Sequence, residues 1–231
     1  MITPRRIIGR LYHTLAAKLF PTWHKEHHEL SFWRKLLAAE GRLSREHYPW
    51  FYTTYFDLEP SFYGGKRILD IGCGPCGSLE WADMAAERVG LDPLVPNYMK
   101  LGANKHKMTY AAAPSENIPF PDGHFDVVCS FNSLDHVANL ERTLAEITRV
   151  TRPGGLFLLI TEVGHPPTPT EPIDLPWNIT NAFQKSFEVI SERLYEIGNH
   201  NIYRQIGEDK RFDTSNETPR SGIVTAKMRK L

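Results

Sequence analysis

The chain has 231 residues, and 41% of them are hydrophobic, which is enough for one sizeable core. Its 27 basic and 27 acidic side chains balance, so we expect no nucleic-acid partner. No apolar run reaches the roughly 20 residues that span a bilayer. The three cysteines form no regular disulfide framework, and no signal peptide is evident, so we expect a reduced, cytoplasmic protein.

The beginning of the chain predicts helices and many aromatic side chains rather than strands. Residues 1–25 carry five Lys or Arg and no acid, and apolar residues recur among them at helical spacing. This pattern predicts a short basic amphipathic helix, which packs on the domain or, as the alternative, makes a weak contact with a membrane surface. The aromatic cluster at 48–56 is expected in the core, with some rings lining an acceptor pocket. We predict a helical cap over residues 1–63 and the main domain over residues 64–231.

From residue 64 onward, short apolar runs alternate with helical patterns. The predicted strands lie at 67–71, 89–92, 108–113, 125–131, 156–161, 187–197 and 222–228. The predicted helices lie at 79–87 and 140–150, and an exposed loop is expected at 199–221. The alternation of strand and helix predicts a Rossmann-like, doubly wound α/β fold with a mostly parallel sheet and helices on both faces.

A glycine-rich turn follows the first predicted strand. The run ILDIGCGPCG contains Gly72, Gly74 and Gly77 in the spacing GxGxxG, between a predicted strand and a predicted helix. An acid, Asp92, follows Gly72 by 20 residues, at the end of the second predicted strand. Glycines let the backbone approach a nucleoside, and the acid accepts hydrogen bonds from ribose hydroxyls. This context predicts a site for a nucleoside-containing cofactor.

The acid Asp70 indicates which cofactor this is, because it lies two residues before Gly72, where the ligand is expected. A dinucleotide places its pyrophosphate near this turn. A carboxylate about 4 Å from a phosphate charge would cost on the order of 4 kcal/mol at an effective dielectric constant near 20. S-adenosylmethionine (SAM) has no phosphate and carries an ammonium and a sulfonium, which both attract an acid. Asp70 therefore favours SAM over NAD.

Four ordered motifs resemble those of the class I SAM-dependent methyltransferases, in their small-molecule branch. The run ILDIGCGPCG resembles the first motif, and VGLD resembles the second. The run NIPFPDGHFDVVCSFNSLDHV resembles the adenine loop and fourth strand, and LAEITRVTRPGGLFLLIT resembles the following helix, turn and fifth strand. The resemblance covers residues 66–162. It implies SAM as the cofactor and a small-molecule methyl acceptor, with O-methylation of a sugar, a lipid-linked molecule or a secondary metabolite expected.

The resemblance also implies which residues contact the cofactor. Many members place an Asp two residues before the Glu of the adenine loop, but Pro114 stands there in this chain. We therefore expect the adenine to be bound by Ser115 and the backbone. The expected cofactor-binding residues are Asp70, Gly72, Gly74, Asp92, Ser115, Glu116, Phe131 and Asn132.

Two histidines are the candidate catalytic residues. His136 follows the fourth predicted strand, where the resemblance places the transferred methyl group, and His165 follows the fifth. A neutral imidazole at either place would accept the proton of an acceptor hydroxyl or amine. The alternative for His136 is a structural role in the wall of the cofactor site. The loop that holds His165 and Glu171 either contacts the acceptor or is a rigid surface connection.

We expect no metal site. Cys73 and Cys76 form a CxxC, but no second pair exists and both lie in the cofactor turn. His24 and His28 are four residues apart on a predicted helix, but the metalloprotease pattern needs Glu at position 25, where Lys25 stands. A solvated helix face is the interpretation that we favour for these histidines.

Two other functions are kept as alternatives. One is a non-catalytic SAM-binding protein that retained the fold, and the other is an NAD-dependent oxidoreductase, which Asp70 disfavours. Titration with both cofactors separates the oxidoreductase from the other two functions. Turnover of SAM separates the enzyme from the non-catalytic protein.

Overall fold

The computed structural model of this chain describes residues 21–44, 48–198 and 201–231. The basic amphipathic helix predicted within residues 1–25, with its alternative of a membrane-surface contact, falls for the most part on residues 1–20, which lie outside the described residues.

The centre of the molecule is one seven-stranded sheet. Its strand order is β3-β2-β1-β4-β5-β7-β6, with parallel pairing from β3 to β5 and antiparallel pairing of β7 with β5 and β6. This confirms the Rossmann-like, mostly parallel α/β fold, in which β1 and β4 lie side by side at the centre. The strands are β1 (Arg67–Ile71), β2 (Glu87–Leu91), β3 (Thr109–Ala111), β4 (Phe125–Phe131), β5 (Thr151–Val163), β6 (Phe187–Glu196) and β7 (Gly222–Lys230).

Helices lie before the sheet and in its connections. The described α-helices are α1 (Pro21–Glu40), α2 (Tyr48–Tyr52), α3 (Val95–Lys100), α4 (Leu140–Val150) and α5 (Ile202–Gly207). Helix α4 begins after Asn139, whose side-chain oxygen accepts a hydrogen bond from the Arg142 amide at 2.9 Å and so satisfies a free amide of the first turn. None of the helices that the structure describes combines the length and the apolar character needed to cross a membrane.

The predicted helix at 79–87 is wrong. Residues 78–86 form tight turns, and β2 then begins at Glu87. Backbone hydrogen bonds there reach back three residues, as from Ala82 to Leu79 at 3.1 Å, and both of these side chains are fully buried. Turns rather than a helix therefore bury the apolar residues of this connection. The glycine turn is therefore not followed by the helix N-terminus on which a dinucleotide rests its phosphates.

Two other boundaries differ from the sequence prediction. Strand β5 begins at Thr151, five residues before the predicted start at 156, and includes the Gly-Gly turn that was expected to precede it. The stretch 199–221, predicted as an exposed loop, contains α5. Ile202 and Ile206 of α5 are buried in the core, because their spacing of four places both on one helix face.

Each face of the sheet has its own apolar core. On one face, Leu69 and Val128 pack with Ile147 of α4. On the other face, Ile68 packs with aromatic residues that precede the sheet, among them Tyr52. Burying side chains of this size contributes about 1.5–3 kcal/mol each to folding. Residues 48–63 thus share a core with the sheet, and the domain boundary between residues 63 and 64 stays a prediction.

Candidate cofactor and acceptor site

A large cavity opens where β1, β2 and β4 end. Its volume is about 1260 Å³, and its walls come from the turns after these strands, from α1 and α2, and from α5. Ligand sites in α/β sheets lie at these carboxyl ends. Single pockets for small ligands are typically about 300–1,000 Å³. The cavity therefore has room for a nucleoside-sized cofactor and a second molecule beside it.

The glycine turn forms the floor of the cavity and is held tightly against the end of β4. Gly72 and Gly74 have φ angles of 70° and 58°, which glycine adopts without steric cost. A Cβ at Gly72 would lie 2.3 Å from the Cβ of Ser133, and the Ser133 hydroxyl donates to the Ile71 carbonyl at 2.8 Å. A side chain at Gly72 would displace Ser133, and Gly72 and Gly74 both line the cavity.

Asp70 lies at the end of β1 and is 2% exposed. It accepts hydrogen bonds from the hydroxyl of Tyr52 at 3.0 Å and from that of Ser78. Burial raises the pKa of Asp70 to about 7, although the two hydroxyls oppose this shift. The carboxylate is thus held in place by neutral donors only, and a positive ligand beside it would stabilise its ionised form.

Asp92 follows β2 and is also buried, at 8% exposure. It accepts a hydrogen bond from the Leu94 amide at 2.8 Å, which fixes the carboxylate at the cavity wall. Burial raises the pKa of Asp92 to about 6, against the effect of this amide, and the negative charge of Glu29 raises it further. Two buried carboxylates with raised pKa values therefore face one cavity from neighbouring strands.

The other residues predicted to bind the cofactor also line this cavity, but some have structural partners. Ser115 shares a hydrogen bond with Thr143 at 2.9 Å. Glu116 accepts from the amides of Ala138 and Asn139 at 2.7 and 2.9 Å, so its carboxylate secures the beginning of α4. The remaining two, Phe131 and Asn132, also line the cavity.

Helix α1 crosses the cavity, and its role was missed by sequence reasoning. A Cβ on Gly74 would lie 3.2 Å from the ring of Trp33, whose indole nitrogen donates to Glu29 at 2.6 Å. Lys25 donates to the backbone carbonyl of His136, and burial lowers its pKa. The sequence carries no signal for these contacts, because they depend on how α1 packs on α3 through Leu30 and its neighbours.

The two candidate catalytic histidines lie near each other but in different surroundings. His136 lines the cavity, in the 3-10 turn after β4. His165 is 8% exposed, does not line the cavity, and has its Nε2 3.5 Å from Oδ2 of Asp135. Glu171 does line the cavity. Sequence reasoning missed Asp135, which lies between the two imidazoles.

The cysteines of the CxxC have no reactive environment. Cys73 and Cys76 are buried, free thiols, and burial raises the pKa of Cys73 well above its usual value. A buried neutral thiol is a poor nucleophile and a poor metal ligand. This agrees with the expectation that neither serves redox chemistry or metal binding.

The comparisons with known proteins agree with this geometry. Residues 69–159 match a family model described as a methyltransferase domain. Sterol 4-C-methyltransferase strm-1 of Caenorhabditis elegans is 36% identical over 40% of this chain and 30% of its own length. The phthiotriol/phenolphthiotriol dimycocerosates methyltransferase of Mycobacterium tuberculosis is 32% identical over 52% of this chain and 46% of its own length. This chain therefore spans less than half the length of these curated relatives.

A solved structure extends the likeness to the fold. The S-adenosylmethionine dependent methyltransferase from Mesorhizobium loti has a TM-score of 0.54 at 19% identity, over 75% of this chain and 99% of that one. At this identity the likeness is one of fold alone.

The site fits SAM by its charges and its shape. Two buried acids face the cavity, the backbone of the glycine turn is accessible, and the turn lacks a helix N-terminus for phosphates. Asp70 and Asp92 would hold the cationic and ribose parts, and the matched segment 69–159 includes both. Residues 69–159 of the chain are therefore similar to the methyltransferase domain family, and the site that they form fits SAM as the cofactor.

Proposed function

We propose that this chain is an active methyltransferase whose acceptor is an apolar, lipid-type small molecule methylated on a hydroxyl oxygen. The observation that carries the proposal is that one continuous cavity is lined both by the glycine turn and by a set of aromatic side chains, which we call the aromatic wall. That wall is formed by Phe32, Tyr48, Trp50, Phe51, Phe131 and Tyr203.

The aromatic wall suits a flat or extended apolar acceptor better than a sugar. The rings of Tyr52 and Phe131 pack with centroids 4.5 Å apart, and the Tyr52 hydroxyl donates to Asp70, so the surface beside this carboxylate is aromatic. Phe32 and Trp50 line the cavity while 51% and 39% exposed, so apolar surface continues to its opening. The names of the two curated relatives, a sterol methyltransferase and a phthiotriol methyltransferase, support the same acceptor class.

The proposed reaction is a direct methyl transfer. SAM supplies a methyl group on a positively charged sulfur. The acceptor oxygen forms a bond to the methyl carbon, the carbon–sulfur bond breaks with its electron pair on sulfur, and the proton of the acceptor hydroxyl passes to a base or to water in the cavity. Alignment of the two molecules in one cavity provides much of the rate enhancement. The walls that contribute to alignment are α1 and α2, which close the cavity over the glycine turn.

Of the two candidate histidines, His136 stays our proposed catalytic residue, and His165 takes a different role. His136 lines the cavity and would act on the acceptor oxygen. His165 contacts Asp135 instead, so we assign it the role of a positioning residue. Replacing His136 by Ala is expected to lower kcat by about 10²–10⁴-fold, the usual contribution of a group acting on the transferred proton, with SAM affinity nearly unchanged. A loss of SAM affinity in this variant would instead assign His136 to the cofactor wall.

The pH dependence of SAM binding follows from the two buried acids. Because burial holds the pKa of Asp70 near 7, the empty site is largely protonated at pH 5.5, and a cationic ligand requires the ionised form. We expect the Kd for SAM to fall by about tenfold between roughly pH 5.5 and pH 7, as calorimetry measures it. Asp70→Asn should flatten this dependence. A Kd that is constant over this range would mean that Asp70 does not meet the positive charge.

The alternatives remain open to direct test. A non-catalytic SAM-binding protein would bind SAM without turnover, and an NAD-dependent oxidoreductase would bind NADH instead.

A cytoplasmic location is proposed because none of the three cysteines forms a disulfide, as is usual in a reducing compartment. A membrane-surface contact through residues 5–19 remains part of the proposal for an apolar acceptor.

The function is tested by turnover with matched acceptors. We expect S-adenosylhomocysteine to form when purified chain and SAM are given a pool of ring alcohols and phenols of lipid character, and not when they are given free sugars. Trp50→Ala should raise KM for the apolar acceptor while leaving SAM affinity unchanged. Val189→Ala, a change at an equally exposed apolar residue away from the cavity, is the control. Turnover with sugars alone would contradict the acceptor class, and SAM binding without turnover by any acceptor would favour the non-catalytic protein.

A further inference from the structure

Three side chains of metal-binding type converge beside the cofactor turn. Asp135 and His136 lie in the 3-10 turn after β4, and Glu171 lies in the loop after β5. One potential ligand atom from each lies within 4.8 Å of the other two. His136 and Glu171 line the cavity, and Asp135 is 1% exposed behind them. The cluster therefore lies at the edge of the cavity, where β4 and β5 end.

The carboxylate at the centre of this cluster lies between two imidazoles, and one of its oxygens has no hydrogen-bond partner among the described residues. Oδ1 of Asp135 is buried without a hydrogen-bond partner among the described residues, and it lies 3.9 Å from Nε2 of His136. Nε2 of His165 is likewise buried without a hydrogen-bond partner in the described part of the chain, 3.5 Å from Oδ2 of Asp135. Lys25 approaches this region but donates its hydrogen bond to the backbone carbonyl of His136. A buried carboxylate is unfavourable unless a cation or a set of donors satisfies it.

The separations between these atoms match the ligand set of one metal ion. Two ligand atoms that are each about 2.1 Å from an ion lie about 3.0–4.2 Å apart. The distance of 3.9 Å between Oδ1 of Asp135 and Nε2 of His136 falls inside this range. The 4.8 Å limit on the distances among the three ligand atoms lies slightly outside this range, so the half-buried Glu171 carboxylate, which accepts a hydrogen bond from the Thr168 hydroxyl at 3.2 Å, would have to shift to complete the site.

We propose that Asp135, His136 and Glu171 bind one divalent first-row transition ion, whose open coordination positions face the cavity and take the acceptor oxygen. One imidazole with two carboxylates suits Mn²⁺ or Zn²⁺ better than Mg²⁺ or Ca²⁺, which prefer oxygen ligands alone. The site rests on the proposed function and changes how His136 acts there: His136 would hold the ion, and an acceptor hydroxyl bound to that ion would lose its proton more readily, to water in the cavity. His165 orients the Asp135 carboxylate from the other side.

The sequence alone predicts no metal site, and the proposal departs from that expectation. Asp135 and His136 are adjacent in the chain, but Glu171 lies 35 residues later, so no ligand spacing is visible. The cluster exists only because β4 and β5 are neighbours and end at the same edge of the sheet.

The test is a titration of the full chain, first treated with a chelator, with Mn²⁺. Electron paramagnetic resonance follows free Mn²⁺, and calorimetry with Zn²⁺ serves as the second probe. We expect one saturable site per chain. Asp135→Asn and Glu171→Gln should each weaken binding at least tenfold. Asp174→Asn, at an exposed acid of the same loop, should leave binding unchanged.

Each outcome decides one of the two proposals. No saturable binding of either ion, or binding that survives both substitutions, overturns the metal site. If Asp135→Asn fails to fold, judged by circular dichroism, the half-buried Glu171→Gln carries the test. SAM titration of the same samples is the separate readout: SAM binding without metal binding overturns the metal site alone. Absence of SAM binding by the wild-type chain overturns the proposed function.

Discussion

Replacing Gly74 by Val is expected to abolish detectable SAM binding while the helix content stays near that of the wild-type chain. The φ angle of Gly74 is 58°, a region that β-branched residues avoid. Its new Cβ would lie 3.2 Å from the Trp33 ring, and the further methyl groups would occupy the space where the backbone approaches the ligand. We expect the affinity to fall by more than about 100-fold, because the turn and α1 would both be displaced.

A control variant separates the effect of backbone strain from the effect of damaging the cofactor site. Gly154→Val places the same side chain at a φ of 72°, where a Cβ meets no atom within 4 Å and the residue does not line the cavity. This variant should lose a similar amount of stability, on the order of 1–2 kcal/mol, and keep its SAM affinity. If Gly74→Val binds SAM normally by calorimetry, the turn does not approach the cofactor.

Asp92→Ala should weaken SAM binding by roughly 1.5–3 kcal/mol, the range for a hydrogen bond to a charged group, which is about 10- to 150-fold in Kd. Folding should be little affected. Because burial raises the pKa of Asp92 to about 6, above its unfolded value, the ionised carboxylate lowers the free energy of unfolding at neutral pH. Removing the carboxylate therefore raises the free energy of unfolding. The loss of the hydrogen-bond acceptor of the Leu94 amide lowers it, so the two changes oppose each other.

The measurement for this variant is a pair of titrations with S-adenosylhomocysteine and SAM, together with a melting curve. Asp83→Ala removes an exposed acid away from the cavity and serves as the control. Equal affinities of Asp92→Ala and the control would mean that the ribose is held by other groups.

The strands of the sheet were predictable because buried parallel strands appear as short apolar runs. Strand β4 was predicted with its observed bounds, Phe125–Phe131, and β1 likewise at 67–71. The connection 78–86 was not, because a helical pattern in so short a segment does not say whether a full helix fits between two strands. Helix α5 was missed because most of the stretch 199–221 is polar, and the two buried residues of the helix, Ile202 and Ile206, are too few to form a recognisable apolar pattern.

The cofactor site was predictable from local motifs, and the remainder of the cavity was not. The strand-to-turn context of Gly72 and the end of β2 at Asp92 are properties of single segments. Trp33 and Lys25 reach the cavity only through the packing of α1. The sequence did not indicate a role for Asp135, because that role depends on its contact with His165. The two residues are 30 positions apart in the chain, but Oδ2 of Asp135 lies 3.5 Å from Nε2 of His165.

Calorimetric titration of the wild-type chain with SAM, and separately with NADH, distinguishes a SAM site from a dinucleotide site. We expect saturable one-site binding of SAM, competition by S-adenosylhomocysteine, and no heat from NADH. Saturating SAM at 100 times its Kd should also stabilise the fold by about 2.7 kcal/mol, seen as a rise in Tm. Binding of NADH without binding of SAM would contradict the account, because the acids at Asp70 and Asp92 would then face a phosphate ligand.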